Sequence, residues 1–356
     1  MRALIAMSGG VDSSVSAKIM KDLGYECVGC TMRLYENDIV GLDLLDTCCS
    51  LKDTEDARSV TNNIGIPYHI FHYENEFRQK VIEPFIESYE KGETPNPCIN
   101  CNKCLKFSRL FEKMEKFDCD TLVTGHYARI EKINDRYILK KALDETKDQS
   151  YVLYNLTQEE LAKIKFPLGE YTKNTVRNIA NENKFINAKK HDSQDICFVP
   201  NGDYEEFINR YRGHLQKEGN FIDKNGNILG IHKGIAFYTI GQRKGLGIST
   251  GKPLYVIKIN PKTNEITLGD NKDLFEKEVF ATNINLISVD KIESPMRIKA
   301  KIRYRQKESL ATAIQLDNNT LKVVFDEPVR AVTPGQALVL YDGDIVVGGG
   351  TIFKNN

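Results

Sequence analysis

The apolar run Ala3-Leu4-Ile5-Ala6 stops at Gly9-Gly10, among hydroxyl side chains, and an amphipathic pattern then resumes at Val15, Ile19, Met20 and Leu23. That succession reads as a buried strand, a tight turn and a helix start. Two adjacent glycines permit a backbone path in which successive N–H groups point into one hollow, and the new helix aims its positive end at the same spot. Such a hollow binds phosphate. A kinase-type loop would need a lysine directly after its second glycine, and here Val11 follows Gly10.

The same alternation continues downstream. Residues 26–32, 68–71 and 121–124 read as strands, residues 51–64, 77–89 and 105–117 as helices, and residues 129–141 as a hairpin turning at Asn134-Asp135. Helical spacing returns over 158–164 and 172–182. Repeated strand–helix units imply an α/β fold with a parallel, Rossmann-like sheet whose ligands bind beyond the carboxyl ends of its strands. That places the Ser8–Ser14 loop, Met32 and Gly125 around one crevice. From about Asp203 the pattern turns β-rich, and from Glu278 onward nearly every segment alternates between Gly and Asp turns, as in a small closed barrel. A chain of 356 residues exceeds one ordinary core. The expected domains are 1–202, a parallel-sheet domain; 203–276, a small central β-rich domain; and 277–356, a C-terminal β-barrel.

Forty-nine Lys and Arg balance forty-nine Asp and Glu, so no overall basic field draws the chain to nucleic acid, and any RNA contact must use local patches. The amino end has no secretory pattern and no segment is apolar enough to span a membrane, which makes a cytoplasmic protein the expectation. Nine cysteines then suggest reactive thiols or metal ligands more than a disulfide framework. In Thr94-Pro95-Asn96-Pro97-Cys98-Ile99-Asn100-Cys101-Asn102-Lys103-Cys104 the prolines favour an extended approach. Cys101 is then expected near a helix N-terminus, where the dipole and Lys103 or Lys106 favour thiolate. Cys98, Cys101 and Cys104 also have the spacing of iron–sulfur or zinc ligands, for which Cys197 supplies a fourth and Cys48-Cys49 another source. Both uses stay open at this level. Cys27, Cys30 and Cys119 read as packing residues.

Ser8-Gly9-Gly10-Val11-Asp12-Ser13-Ser14 resembles the pyrophosphate-binding loop of the N-type ATP pyrophosphatases, the PP-loop enzymes of the adenine nucleotide alpha hydrolase-like class. Further stretches extend the likeness: Asp53-x-x-Asp56-Ala57-Arg58, Thr94-Pro95-Asn96-Pro97, Thr124-Gly125-His126-Tyr127-Ala128-Arg129 and Lys147-Asp148-Gln149-Ser150-Tyr151. Asp195-Ile196-Cys197-Phe198, Tyr238–Gly247, Arg303-Tyr304-Arg305-Gln306 and Pro334-Gly335-Gln336 complete it. Together these resemble the tRNA-specific 2-thiouridylase family from end to end. The resemblance implies that ATP adenylates the 2-oxygen of a wobble uridine in the anticodon stem-loop of tRNA, and that sulfur then replaces it.

In that family pattern Ala6, Met7, Ser8, Gly9, Gly10, Val11, Asp12, Ser13, Met32 and Gly125 hold the nucleotide, with Asp12 on Mg²⁺ and counted among the catalytic residues. Cys197 carries a persulfide delivered by a sulfur-donor protein, and Cys101 is the second catalytic cysteine, leaving a Cys101–Cys197 disulfide. Asn96, Pro97 and Cys98 meet the base; Lys147, Asp148, Gln149, Arg303 and Tyr304 touch tRNA. Many relatives have aspartate where this chain has Cys98, which keeps alive an alternative with a [4Fe–4S] cluster on Cys98, Cys101, Cys104 and Cys197. Two further readings compete: a PP-loop enzyme with another acceptor, as in GMP or argininosuccinate synthetase, and a metal-containing RNA-binding protein with a vestigial ATP site.

Overall fold

The computed structural model describes residues 1–35, 51–192, 196–199, 202–249 and 251–354. The chain divides into two compact units, one of Met1–Val81, Pro97–Gly202 and Asp344–Val346, the other of Ile82–Asn96, Asp203–Gly343 and Val347–Asn356. Cys48, Cys49 and Asp195 lie outside the described residues.

The first unit is built on β1 (Arg2–Ala6), β2 (Glu26–Arg33), β3 (Tyr68–His72), β4 (Thr121–Val123) and β7 (Ile164–Lys165), which form a parallel sheet in the order β3-β2-β1-β4-β7. Between β4 and β7 lies the expected hairpin of β5 (Arg129–Ile133) and β6 (Arg136–Lys140), with Asn134 at φ +55° in its turn. β2 is buried almost throughout, because helices cover both faces of a parallel sheet. Helix α1 (Val11–Asp22) follows β1 and ends at Gly24, whose φ of +81° suits a left-handed stop. Helix α2 (Leu51–Ile64) ends likewise at Gly65, φ +66°. β1 lies between β2 and β4, so the sheet is extended in both directions from it. The crevice beyond the carboxyl ends of β1 and β4 is therefore the switch point where ligands of such sheets bind.

Two expectations change. The helix expected from residue 105 begins at Pro97: α3 (Pro97–Cys101) runs through a π-helical stretch, Asn102–Phe107, into α4 (Ser108–Lys116). Proline suits a first helical position because its missing N–H would be unpaired there anyway. Cys98 is thus helical rather than on an extended loop, and Cys101 closes a helical turn instead of opening one. Ile164, read as the end of a helix, instead opens the fifth strand with Lys165, short enough that periodicity cannot register it.

In the second unit, β8 (Gly219–Ile222), β9 (Ile228–His232), β10 (Tyr255–Asn260) and β11 (Glu265–Gly269) form a sheet in the order β10-β11-β8-β9. The remaining strands are β12 (Phe275–Leu286), β13 (Met296–Lys301), β14 (Ser309–Gln315), β15 (Thr320–Arg330), β16 (Ala337–Asp342) and β17 (Ile345–Phe353). They run in the order β12-β15-β14-β13-β16-β17, and β17 pairs back onto β12 to close a six-stranded barrel. Inward residues such as Ala281, Ile298, Ala311, Val323, Phe325 and Leu340 fill its core. Among the described residues no helix is long and apolar enough to cross a membrane.

Candidate active site

The loop after β1 is held in one shape. Gly9 has φ +73°, and a Cβ there would lie 2.3 Å from the Asp53 carbonyl oxygen, so only glycine fits. Gly10 is the N-cap of α1 and has no side chain to cap it, which leaves the first-turn N–H groups for an external anion. The Ser13 hydroxyl accepts from Ser8 N–H (3.1 Å) and donates to Gly10 O (3.1 Å), while Ser14 Oγ donates to Gly10 O (3.0 Å). At the β4 end, a Cβ on Gly125 would come within 2.8 Å of Ser13 N, so the two strand ends meet at close range. Ala6 pairs with Cys30 across the sheet, and Met7 and Met32 are buried beside the loop.

Two lysines reach this loop from far along the chain. Lys190 Nζ lies 2.5 Å from Asp53 Oδ1, 2.7 Å from Asp56 Oδ2 and 3.3 Å from Gly9 O. Although burial works against its charge, the two carboxylates hold its ammonium above the usual lysine range. Asn187 Nδ2 donates to the same Gly9 carbonyl and to Ser14 Oγ, each at 2.9 Å. The second lysine, Lys173, is the first residue of α5 (Lys173–Glu182), and its Nζ lies 2.7 and 2.8 Å from the two oxygens of Asp12 and 2.7 Å from Asp192. Tyr127 OH donates to Asp12 Oδ1 at 2.8 Å, and burial followed by the Asp12 charge pushes that phenol well above its usual range. Burial opposes the charge of Asp192 too, but Lys147 and Lys173 hold its carboxyl below the carboxylate norm.

The residues assigned to tRNA in the first unit are engaged internally. Lys147 pairs with Asp192 at 2.8 Å. Asp148 accepts from Ala142 N, Ser150 N and Ser150 Oγ, and Gln149 Oε1 accepts from Tyr127 N (2.9 Å). His126, beside Gly125, pairs its Nδ1 with Thr124 Oγ1 at 2.7 Å between the rings of Phe107 and Phe166; burial, with Lys106 nearby, pushes its pKa down to about 3.

The thiols differ from the expectation. Cys101 is buried, and burial outweighs the attraction of Lys106, raising its pKa to about 11. The thiolate-favouring helix terminus expected at Cys101 is absent because the helix already starts at Pro97. Cys98 is exposed, and Cys104 and Cys197 are half-buried. Cys197 lies in a turn fixed by its neighbours: its carbonyl accepts from Tyr35 OH (3.1 Å), and Phe198 packs edge-on against Phe77. Cys101 and Cys197 are not joined to each other. Among the described residues no group of three His, Cys, Asp or Glu side chains converges to hold a metal, so the cluster reading gains no support. Cys27, Cys30 and Cys119 are buried.

In the second unit, motifs far apart in sequence come together. Gln336 Nε2 donates to Thr94 O (2.7 Å), Thr94 N–H to Pro334 O (2.9 Å), and Thr94 Oγ1 pairs with Thr239 Oγ1 (3.1 Å). Gly335, at φ +87°, leaves room for Thr94 and Pro95, which lead into Asn96. Arg303 donates to the carbonyls of Ile240 (2.9 Å) and Ala331 (3.2 Å) and to Thr333 Oγ1, binding the Tyr238–Gly247 stretch to the barrel. Tyr304 and Arg305 are exposed.

Sequence reasoning missed Lys173, Lys190, Asn187 and Tyr127 as partners of the loop. Tyr127 stood within the Thr124–Arg129 motif, but a lysine in a helix's first turn has no signature that marks a tertiary partner.

A family model described as "tRNA methyl transferase HUP domain" matches residues 1–201. One described as "tRNA methyl transferase PRC-barrel domain" matches 205–270, and one described as "Aminomethyltransferase beta-barrel domain" matches 276–352. The tRNA-specific 2-thiouridylase MnmA of Clostridioides difficile (strain 630) is 52% identical over 356 residues, covering 99% of this chain and 98% of the relative. That of Clostridium botulinum (strain Alaska E43 / Type E3) is 48% identical over 351 residues, covering 99% and 97%.

Proposed function

The chain belongs to the tRNA-specific 2-thiouridylase family, and on that premise we propose that it is a tRNA-uridine 2-sulfurtransferase working by adenylation followed by persulfide transfer. The observation that carries the first half is the pre-shaped Ser8–Ser14 loop at the sheet's switch point, with the N–H groups of the first turn of α1 left without a side-chain cap. ATP fits there by its phosphates, with Ala6 to Ser13, Met32 and Gly125 around the nucleotide. Asp12 is the carboxylate that would hold Mg²⁺, which neutralises charge on the phosphates.

The uridine 2-oxygen attacks the α-phosphorus and pyrophosphate leaves, which turns that oxygen into part of a good leaving group. Cys197 carries the sulfane sulfur received from a persulfide-bearing protein. As that sulfur bonds to C2 and AMP departs with the former 2-oxygen, Cys101 attacks Cys197 Sγ. The sulfane sulfur gains two electrons and the two thiols lose them as a disulfide, which an external dithiol then reduces. The target base must leave its stack to reach this chemistry, and Asn96, Pro97 and Cys98 are the residues to receive it. Lys147, Asp148, Gln149, Arg303 and Tyr304 flank the RNA, with the first four also fixing the protein's own framework.

The test is one assay scored twice. Unmodified tRNA, ATP and a persulfide donor should yield AMP and pyrophosphate together with 2-thiouridine in the digested RNA. Tight tRNA binding without ATP consumption would support the binding-protein reading instead, and ATP cleavage with a different acceptor would support the other enzymatic one.

A further inference from the structure

The loop lacks the lysine that a kinase-type phosphate loop carries in its own sequence, yet an ammonium is delivered to it from 161 positions away. Lys173 has a side chain only 9% exposed, and its three N–H donors meet three carboxylate oxygens, two on Asp12 and one on Asp192. Each carboxylate has a partner besides Lys173. Asp192 is also paired with Lys147 (2.8 Å) and Arg177 (3.0 Å). Asp12 lies in the first turn of α1, where the helix dipole favours an anion, and it accepts from Tyr127 OH as well. Asp144, the third acid nearby, accepts from the backbone N–H of Lys173 at 2.9 Å. Enclosing an ammonium costs desolvation that an ion pair between otherwise supported groups seldom returns. A cation held beside an uncapped helix N-terminus, by acids that each have another partner, is suited to a third anion.

We propose that Lys173 contacts the β- and γ-phosphates of ATP in this loop, a phosphate oxygen replacing one Asp12 oxygen as acceptor, so that α5 supplies the cation the loop's sequence omits. This rests on the reading of the loop as an ATP site. Equilibrium dialysis of labelled ATP and labelled AMP against the full chain, with and without Mg²⁺, tests it. Lys173→Met should weaken ATP about 10- to 100-fold, the loss of one charge-assisted contact, while AMP affinity stays within about two-fold. Lys173→Arg should recover part of the ATP affinity.

If Lys173→Met binds ATP as tightly as the unaltered chain, or loses ATP and AMP by the same factor, Lys173 is a structural ion-pair residue and the proposal falls. Since Lys173→Met leaves two acids without this partner, the doubly altered Lys173→Met/Asp192→Asn chain, in which one of those acids is neutral, gives the same ATP-to-AMP comparison should the single variant not fold. Failure of the unaltered chain to bind ATP at all would overturn the nucleotide reading itself, a result distinct from either.

Discussion

The Ser8–Ser14 loop and the cysteine-bearing segments belong to the same compact unit, yet one is finished and the other is not. Around the loop, Gly9 is pinned by Lys190 and Asn187, and Asp12 by Lys173 and Tyr127. At the thiols, Cys101 is buried and protonated, Cys197 is half-buried, and no bond joins them. The difference matches the role proposed for each. A phosphate group meets a rigid set of donors best, because preorganised dipoles need no reorganisation when charge arrives. A nucleophilic thiol exposed and ionised before its substrate arrives would oxidise, and burial keeps Cys101 from doing so.

The contrast between loop and thiols is open to direct measurement. The largest effect is expected for Cys197→Ser and Cys101→Ser, each of which should abolish 2-thiouridine formation while leaving ATP binding by dialysis unchanged. Retained thiolation by Cys197→Ser from a persulfide donor would remove that residue as sulfur carrier. Asp12→Ala should instead stop release of AMP and pyrophosphate, by about 10³-fold if the loop is the chemical site. A milder test concerns protonation: at pH 8, peptide mass spectrometry should find Cys101 alkylated about a hundred-fold more slowly than exposed Cys98, since a pKa near 11 leaves little thiolate. Labelling of Cys101 at the rate of Cys98 would mean that it is not latent.

Smaller effects probe the frame. Gly9→Ala combines a positive φ with a clash against the Asp53 carbonyl and should cost about 1–3 kcal/mol in urea unfolding, with weaker ATP binding. For His126 the sign follows from its lowered pKa. The unfolded chain takes up a proton near pH 6.5 that the folded chain refuses until about 3, so stability is lost as pH falls through that window. His126→Asn should flatten the stability slope between pH 6 and 4 by up to about 1.4 kcal/mol per pH unit. An unchanged slope would mean that the ring is protonated in the folded chain.

The strand–loop–helix at the amino end was legible because its signals are local: an apolar run, two glycines and a 3.6-residue period occupy about twenty positions. The barrel was legible for a similar reason, its strands alternating between Gly and Asp turns. The start of α3 was hidden because Pro95-Asn96-Pro97 reads as extended chain, although proline at a first helical position was the available clue. Cys101 was misjudged through the same error, since the dipole argument assumed a helix N-terminus that lies four residues earlier. Lys173 and Lys190 could not be read at all, because their meaning comes from the packing of α5 and of the chain after it against a loop more than 160 positions away. The pairing of Thr94 with Gln336 was likewise visible only in space, though both motifs had been marked.

That last pairing has a consequence for the chain as a whole. The hand-hold at Thr94 and Pro95 comes from residues 333–336, near the carboxyl end, so a chain shortened before residue 330 would lose more than its barrel. Within the second unit the stretch around Thr94 would lose its mooring, and residues 333–336 are in that respect a fixture for a segment far upstream in the chain rather than part of an appendage that could be trimmed away.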